Sequence, residues 1–439
     1  MRTTKNNEHK KLNVPNKQEQ NQICLDSAER EGLSTKGNVP NLRFPEFQEE
    51  WEESTIGEEF DLYSGNTPSR LNKEHFNGAI NWISSGELKE HYIADTKEKI
   101  SDEAAKTLKM LPIGTFVIAI YGLEADGVRG TGSITKTEAT ISQACMAFTS
   151  KGKVQNEFLY SWYKKHGNVI GIRYAQGTKQ QNLCYDIIEK FKIAYPTFQE
   201  QEKLNKFIAL LDERIATQNK IIDKLQSLIK GMEDNLLDNP LWEKTYLRSF
   251  MQFFPTNSLS WEQLSYKEGA IRNLHYGLIH GLQTHGINSA SLPMIKNEAI
   301  PKQYTLCQVG DVAFADASED TGEIAKSVEF VDTIKGETIC GLHTIHGRDI
   351  KNRTVVGFKG FAFNSRYFHN QIKRLAQGTK VFSITANNLS SCYVYLPDLD
   401  TQTVIVRLLK SYEEQFIINR MILKQYEKQK QYLLRQMFI

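Results

Sequence analysis

Two pentapeptides place a lysine directly after a glycine-threonine turn: Ala175-Gln-Gly-Thr-Lys179 and Ala376-Gln-Gly-Thr-Lys380. A cation beside backbone N–H groups suits a phosphate oxygen, so Lys179, Gln180, Lys380 and the nearby Ser383 are candidates for contact with a polyanion. Ser64-Gly-Asn-Thr-Pro-Ser-Arg70 puts Asn66, Thr67, Ser69 and Arg70 on one small loop. Trp82 is a further candidate, a ring at the surface, and leads into Ser84-Ser-Gly86, which adds Ser84 and Ser85. Tyr121 closes an apolar strand, and Arg129 follows in the next loop. Arg272 and Tyr276 offer the same chemistry in the second half. Hydroxyl, amide and guanidinium groups bond phosphate oxygens and base edges, and glycine lets the backbone approach closely.

Signatures of catalysis are missing. The sequence has no G-x-x-x-x-G-K-[ST] phosphate loop and no Asn-Pro-Pro-aromatic segment to hold an adenine amino group for methylation. Gly127-Val-Arg-Gly-Thr-Gly132 is glycine-rich, but its spacing is wrong for a dinucleotide loop. His275, His280 and His285, with His343 and His346, lack the i, i+4 spacing and the adjacent glutamate of a helical metal site. The six cysteines are scattered without a C-x-x-C pair, which predicts neither a disulfide framework nor a cysteine zinc site. The site prediction is therefore no catalytic residue and no metal.

The elements that must carry these loops are repeated. The second Ala-Gln-Gly-Thr-Lys lies 376 − 175 = 201 residues after the first, and Pro397 follows Pro196 at the same offset. After each proline comes a long helical pattern with a heptad seam. In the first, Ile208, Ile215, Ile222, Ile229 and Leu236 alternate with Leu211, Gln218, Leu225 and Met232. In the second, Leu409, Phe416, Leu423, Lys430 and Met437 alternate with Tyr412, Asn419, Tyr426 and Leu433. Gln218 and Asn419 hold equivalent seam positions, where a polar residue fixes register and partner.

The predicted fold class is α+β, a mixed α/β chain with two target-binding domains separated by two long helices that form a coiled coil. The predicted boundaries are a polar leader at 1–39, a first domain at 40–196, a helix at 197–239, a second domain at 240–396 and a second helix at 397–439. The 439 residues suit more than one domain, and 40% hydrophobic residues suffice for real cores. A net charge of +2 announces no polyanionic partner, so any such footprint must be local. No secretory h-region and no membrane-length apolar run are present, which predicts a soluble cytoplasmic protein.

The stretch Asn38-Val-Pro-Asn-Leu-Arg-Phe-Pro-Glu-Phe47 with Trp51, Gly65-Asn-Thr-Pro-Ser69 and Ile80-Asn-Trp-Ile-Ser-Ser-Gly-Glu-Leu88 resembles the first target-recognition domain of type I restriction-modification DNA-specificity subunits. Tyr195-Pro-Thr-Phe-Gln-Glu-Gln-Glu-Lys203, running into Leu210-Leu-Asp-Glu-Arg-Ile215, resembles that family's spacer helix. Gly341-Leu-His-Thr344 and Leu375-Ala-Gln-Gly-Thr-Lys-Val381 resemble its second recognition domain. The likeness spans about residues 38 to 439, and it departs at Leu399-Asp-Thr-Gln-Thr403, where the family prefers Gln-Glu-Gln. The resemblance implies an antiparallel helix pair and two heads that each read half of an interrupted site in double-stranded DNA. It also implies docking of two methyltransferase subunits, to which restriction subunits add. S-adenosylmethionine, magnesium and ATP would then belong to those partners, and this chain would have no cofactor or catalytic centre. Two other classes fit less well: a nuclease or methyltransferase fused to recognition domains, and a coiled-coil scaffold with sugar- or protein-binding heads.

Overall fold

The computed structural model describes residues 37–125, 127–177, 180–282, 285–332 and 337–439. The predicted leader therefore lies almost wholly outside the described residues, as does Lys179. The chain divides into two units, one of residues up to Ala216 plus Lys424–Ile439, the other Thr217–Leu423.

In the first unit the strands are β1 (Glu52–Thr55), β2 (Phe60–Ser64), β3 (Ile80–Ile83), β4 (Tyr92–Ile93), β5 (Lys99–Ile100), β6 (Phe116–Ala119), β7 (Gly132–Thr135), β8 (Ala139–Ile141), β9 (Cys145–Ser150) and β10 (Lys192–Tyr195). Five of them form a sheet of order β2-β9-β6-β7-β4, and three form a smaller one of order β5-β3-β8. β6 is Phe-Val-Ile-Ala and wholly buried, which is what a continuous apolar run dictates for a central strand covered on both faces. One cover is the helix Asn156–Tyr174, which buries Phe158, Leu159, Tyr160, Trp162 and Tyr163.

The second unit holds β11 (Glu243–Tyr246), β12 (Met251–Phe254), β13 (Leu264–Ser265), β14 (Arg272–Leu274), β15 (Gly286–Ile287), β16 (Met294–Ile295), β17 (Val312–Ala315), β18 (Ala317–Ser318), β19 (Ser327–Phe330), β20 (Thr338–Cys340), β21 (Thr344–Asp349), β22 (Phe382–Ser383) and β23 (Tyr393–Leu396). Its main sheet runs β12-β21-β17-β19-β15, the same order strand for strand. β4 pairs parallel with β7 as β15 does with β19, and β3 with β8 as β14 does with β20. β1–β10 and β11–β23 are antiparallel pairs that immediately precede the long helices. The repeat read from a five-residue match is thus a repeat of a whole topology.

The long helices are Phe198–Leu237 and Leu399–Met437, starting 399 − 198 = 201 residues apart. Their starts are built alike despite the departure at 399–403. Gln201 donates through Nε2 to the carbonyls of Lys153 and Pro196 and accepts from Gln155 N. Gln402 does the same with Arg353, Pro397 and Val355. Both glutamines are buried, so the single glutamine retained from the family's pattern is the one the fold uses.

Division by packing differs from the boundaries predicted at 196, 239 and 396, because each unit includes part of each helix. Leu204, Ile208 and Leu211 share one core with Leu433, Leu434 and Met437. Leu237 shares another with Ile405 and Leu409. Within each unit the early part of one helix meets the late part of the other, so the pair is antiparallel. Seam positions face inward: Ile208, Leu211, Gln218, Ile222 and Leu409 are buried, and Ile215, Leu225, Tyr412, Phe416, Asn419, Leu423 and Tyr426 are half-buried. Gln218 Nε2 donates to Asn419 Oδ1 at 2.6 Å, so the two polar seam residues pair with each other. Lys430 avoids a cost in the seam by pairing with Asp212, its ammonium 5.8 Å from the Tyr160 ring. No helix among the described residues is long and apolar enough to cross a membrane.

Candidate nucleic-acid interface

In the first unit the loops selected by sequence converge on one end of the main sheet. That end is where β2 and β6 finish and β9 begins. Asn66 N donates to Ile141 O, Ser142 N to Ile83 O, Ile120 N to Ala144 O and Leu183 N to Ile120 O. The four loops containing Asn66, Ser84, Tyr121 and Gln180 are therefore stitched together. Gly65 is needed there, since a Cβ would stand 2.2 Å from Ile141 O.

The two Gln-Gly-Thr hairpins are closed identically. Gln176 exchanges both backbone hydrogen bonds with Asn182, and Gln377 does so with Ser383, at an offset of 201. Gly177 and Gly378 take φ of +106° and +128°, and a Cβ on either would lie about 2 Å from a carbonyl across the loop. Each hairpin lies beside the end of the central strand: Tyr121 bridges Asn182, and Ala317 pairs with Ser383. Lys380 and Gln180 are exposed, and among the described residues Lys380 has no ion-pair partner.

Several candidates are held by the protein itself. Arg70 forms a bidentate pair with Glu98 at 2.9 and 2.8 Å and lies over the rings of Phe76 and Trp82. The hydrogen bonds that Arg70 donates to Glu98 raise the Arg70 pKa and lower the Glu98 pKa. Arg129 Nη2 donates to Gln181 Oε1 at 2.7 Å, which braces the glycine-rich loop against the hairpin. Arg272 Nη1 donates to the carbonyls of Ala290 and Leu292 and so ties down a neighbouring turn. Ser84 caps a short 3₁₀ turn with Glu87. Trp82 needs correction: it is 3% exposed, sits on Ile100, Ala104 and Ala105, and donates Nε1–H to Asn66 O. Its task is to fix the Asn66 loop from beneath, since a buried indole cannot reach a ligand's surface. Asn66, Thr67, Ser69, Ser85 and Tyr121 retain partial or full exposure.

The second unit builds the corresponding end differently. His275 N-caps the helix Tyr276–Gly281 and lies 4.4 Å, ring to ring, from Trp261. Tyr276 stands edge-on to His343 at 5.2 Å, and His343 Nδ1 lies 3.1 Å from Asp316. Burial, then the nearby His343, depresses the His275 pKa. Sequence spacing excluded only a helical metal site and missed that His275 and His343 both pack against Tyr276. The paired signal was the strand order of the repeat, visible only once both sheets were aligned.

Sequence reasoning also missed the histidine at the base of each head. His91, just before β4, stacks between Tyr92 and Tyr160 at 4.1 and 4.0 Å. It contacts Glu157 at 2.8 Å and Asp212 at 2.9 Å. His285, just before β15, contacts Glu413 at 2.7 Å and Glu233 at 3.7 Å. Asp212 and Glu413 are again 201 residues apart.

A family model described as the type I restriction modification DNA specificity domain matches residues 48–227. The type I restriction enzyme MjaVIII specificity subunit of Methanocaldococcus jannaschii is 23% identical over 407 residues, covering 89% of this chain and 91% of that protein. The MjaIX specificity subunit of the same organism is 26% identical over 185 residues, 40% of this chain and 42% of its own length. Among solved structures, the S subunit of a type I restriction-modification system from M. genitalium gives a TM-score of 0.54 at 14% identity, over 91% of this chain and 99% of that one. A chain from a structure addressing complex assembly and conformational transition of the type I R-M system gives 0.53 at 13% identity, over 88% and 96%. Both share the fold described above.

Proposed function

We propose that the chain is a type I restriction-modification DNA-specificity subunit that reads double-stranded DNA with two heads, each taking one half of an interrupted target. The observation that carries this reading is the repeat. Two topologically matched heads each gather hydroxyl, amide and cationic groups at the same sheet end, beside an identically closed Gln-Gly-Thr hairpin. Lysines on such hairpins position the duplex through its phosphates, while neighbouring polar side chains read base edges. Specificity comes from the loops, which differ between heads, and affinity from contacts that repeat.

In this reading the chain performs no chemistry. Two methyltransferase subunits dock on it, restriction subunits join through that core, and S-adenosylmethionine, magnesium and ATP bind to those partners. The complex works in the cytoplasm. The purified chain alone should transfer no labelled methyl group to DNA, whereas addition of a cognate methyltransferase subunit should yield adenine methylation at one interrupted motif. Methyl transfer by the chain alone, free of contaminating subunits, would overturn the reading.

A further inference from the structure

Because the heads share strand order and register, residues can be matched through the bonds they make. Leu111 N donates to Ala139 O, and Cys307 N donates to Thr338 O. Ala139 and Thr338 open β8 and β20, so Cys307 matches Leu111, and Cys340 at the end of β20 matches Ile141 at the end of β8. His346 stands opposite Ala313, the second residue of β17, as Ala147 stands opposite Val117, the second residue of β6. In the first head the three positions are buried apolar core: Leu111, Ile141 and Ala147. In the second head all three are metal-ligating types. They are buried, and their donor atoms lie within 4.8 Å of one another.

We propose that Cys307, Cys340 and His346 bind one zinc ion in the second head. A fold that accepts leucine, isoleucine and alanine at these positions does not need polar groups there. One exchange would be an ordinary core variation, but three that meet at a point make a donor set. The Cys307 and Cys340 sulfurs are 3.6 Å apart. Two thiolates each about 2.3 Å from a tetrahedral zinc would stand roughly 3.8 Å apart. Two sulfurs and an imidazole select a borderline-soft divalent cation over magnesium or calcium.

The histidine also has a carboxylate partner, as metal-bound imidazoles do. His346 Nε2 lies 2.7 Å from Asp311 Oδ2, and Asp311 is itself fixed by Arg348 at 2.8 and 2.7 Å. A carboxylate that accepts a hydrogen bond from Nε2–H favours the tautomer whose Nδ1 lone pair is free for a metal. Asp311 immediately precedes β17, where Thr115 precedes β6, so the carboxylate accompanies the histidine. On binding, each thiol releases its proton to solvent, the two thiolate charges balance the dication, and a water supplies the fourth ligand. Cys340 and His346 flank the turn that carries His343, whose φ is +53°. The cation would thus brace the loop presented beside Tyr276.

Metal content of the full chain, purified from zinc-supplemented medium under reducing conditions, tests this. One zinc per chain is expected, and Co2+ exchange should give thiolate-to-cobalt charge-transfer absorption with tetrahedral d–d bands. Cys340→Ser and His346→Ala should each weaken zinc binding at least ~10-fold, while Cys392→Ser should leave it unchanged. The triple change Cys307→Leu, Cys340→Ile, His346→Ala copies the first head, so it should fold and show a melting temperature indifferent to chelator. Absence of stoichiometric zinc, absence of the charge-transfer band in the unaltered chain, or zinc retained by Cys340→Ser would overturn the site. So would a Cys307–Cys340 disulfide found by mass spectrometry in the reduced preparation.

Discussion

Both heads seat a histidine against the helix pair, and they partner it differently. His91 lies between a helix glutamate and Asp212, with Lys430 pairing the same aspartate, and the His91 and Asp212 side chains are 7% and 16% exposed. His285 lies between Glu413 and Glu233, with Lys326 the nearby cation, and is 23% exposed. The first arrangement alternates charge: carboxylate, imidazolium, carboxylate, ammonium. The second sets two carboxylates on one imidazole. The same backbone position therefore carries a compact, mostly buried ion-pair network in one head, and in the other a more exposed one that lines a cavity with Lys230, Lys326 and Lys373.

The largest effect separating the two should come from removing the shared carboxylate. Asp212→Ala leaves His91 with Glu157 alone and strands Lys430 in a mostly buried setting, and should cost about 3 kcal/mol. Glu413→Ala leaves Glu233 to His285 and should cost about 2 kcal/mol. Native-state hydrogen exchange of the segments at 91–93 and 285–287 reads the two separately. Equal losses would mean that the difference in charge pattern has no energetic consequence.

A second contrast is pH. Burial alone would lower both histidine pKa values, but the carboxylates at Asp212 and Glu157, and at Glu413 and Glu233, leave both raised. A raised histidine stabilises fully below its ordinary value and loses that contribution as pH climbs through the higher folded value. Asp212, which burial would raise, is lowered by His91 and Lys430. Its stabilisation is present above the ordinary carboxylate range and fades only as pH falls through the lowered value. Glu233 is raised by burial, so its ionisation costs stability as pH rises from the ordinary carboxylate range. From about pH 6 to about pH 9 the second grip should weaken more than the first. Protection factors corrected for intrinsic exchange check this; a first head that loosens more would contradict it.

The smallest effect concerns the hairpin cations. Lys380→Ala in the second head and Lys179→Ala in the first should each lower affinity a few-fold. Each should also reduce the slope of log affinity against log salt by about 0.9, leaving the motif unchanged. A rewritten motif would make that lysine a reader of bases.

What the sequence made legible was periodic or literal. The heptad rows, the polar pair Gln218–Asn419 and the hairpin match all follow from side-chain spacing along one chain. The strand order did not, because its strands are two to six residues long and several are single pairs of residues. Arg70 read as a free cation because Glu98 reaches it through the fold, and Trp82 read as a surface ring because burial depends on β3 lying under the Asn66 loop. The two histidine grips and the Cys307, Cys340, His346 cluster join residues far apart in sequence, so spacing rules had nothing to act on. Even the departure at 399–403 was legible only in part, since Gln402 looks like a remnant until its three hydrogen bonds match those of Gln201.

The central claim is that each head reads its own half of the target. Replacing residues 45–195 with the first head of another specificity subunit, then mapping methylated adenines across the host genome, tests it most directly. The account predicts a motif with one half replaced and the other half retained. A swap that rewrites both halves, or neither, would contradict it.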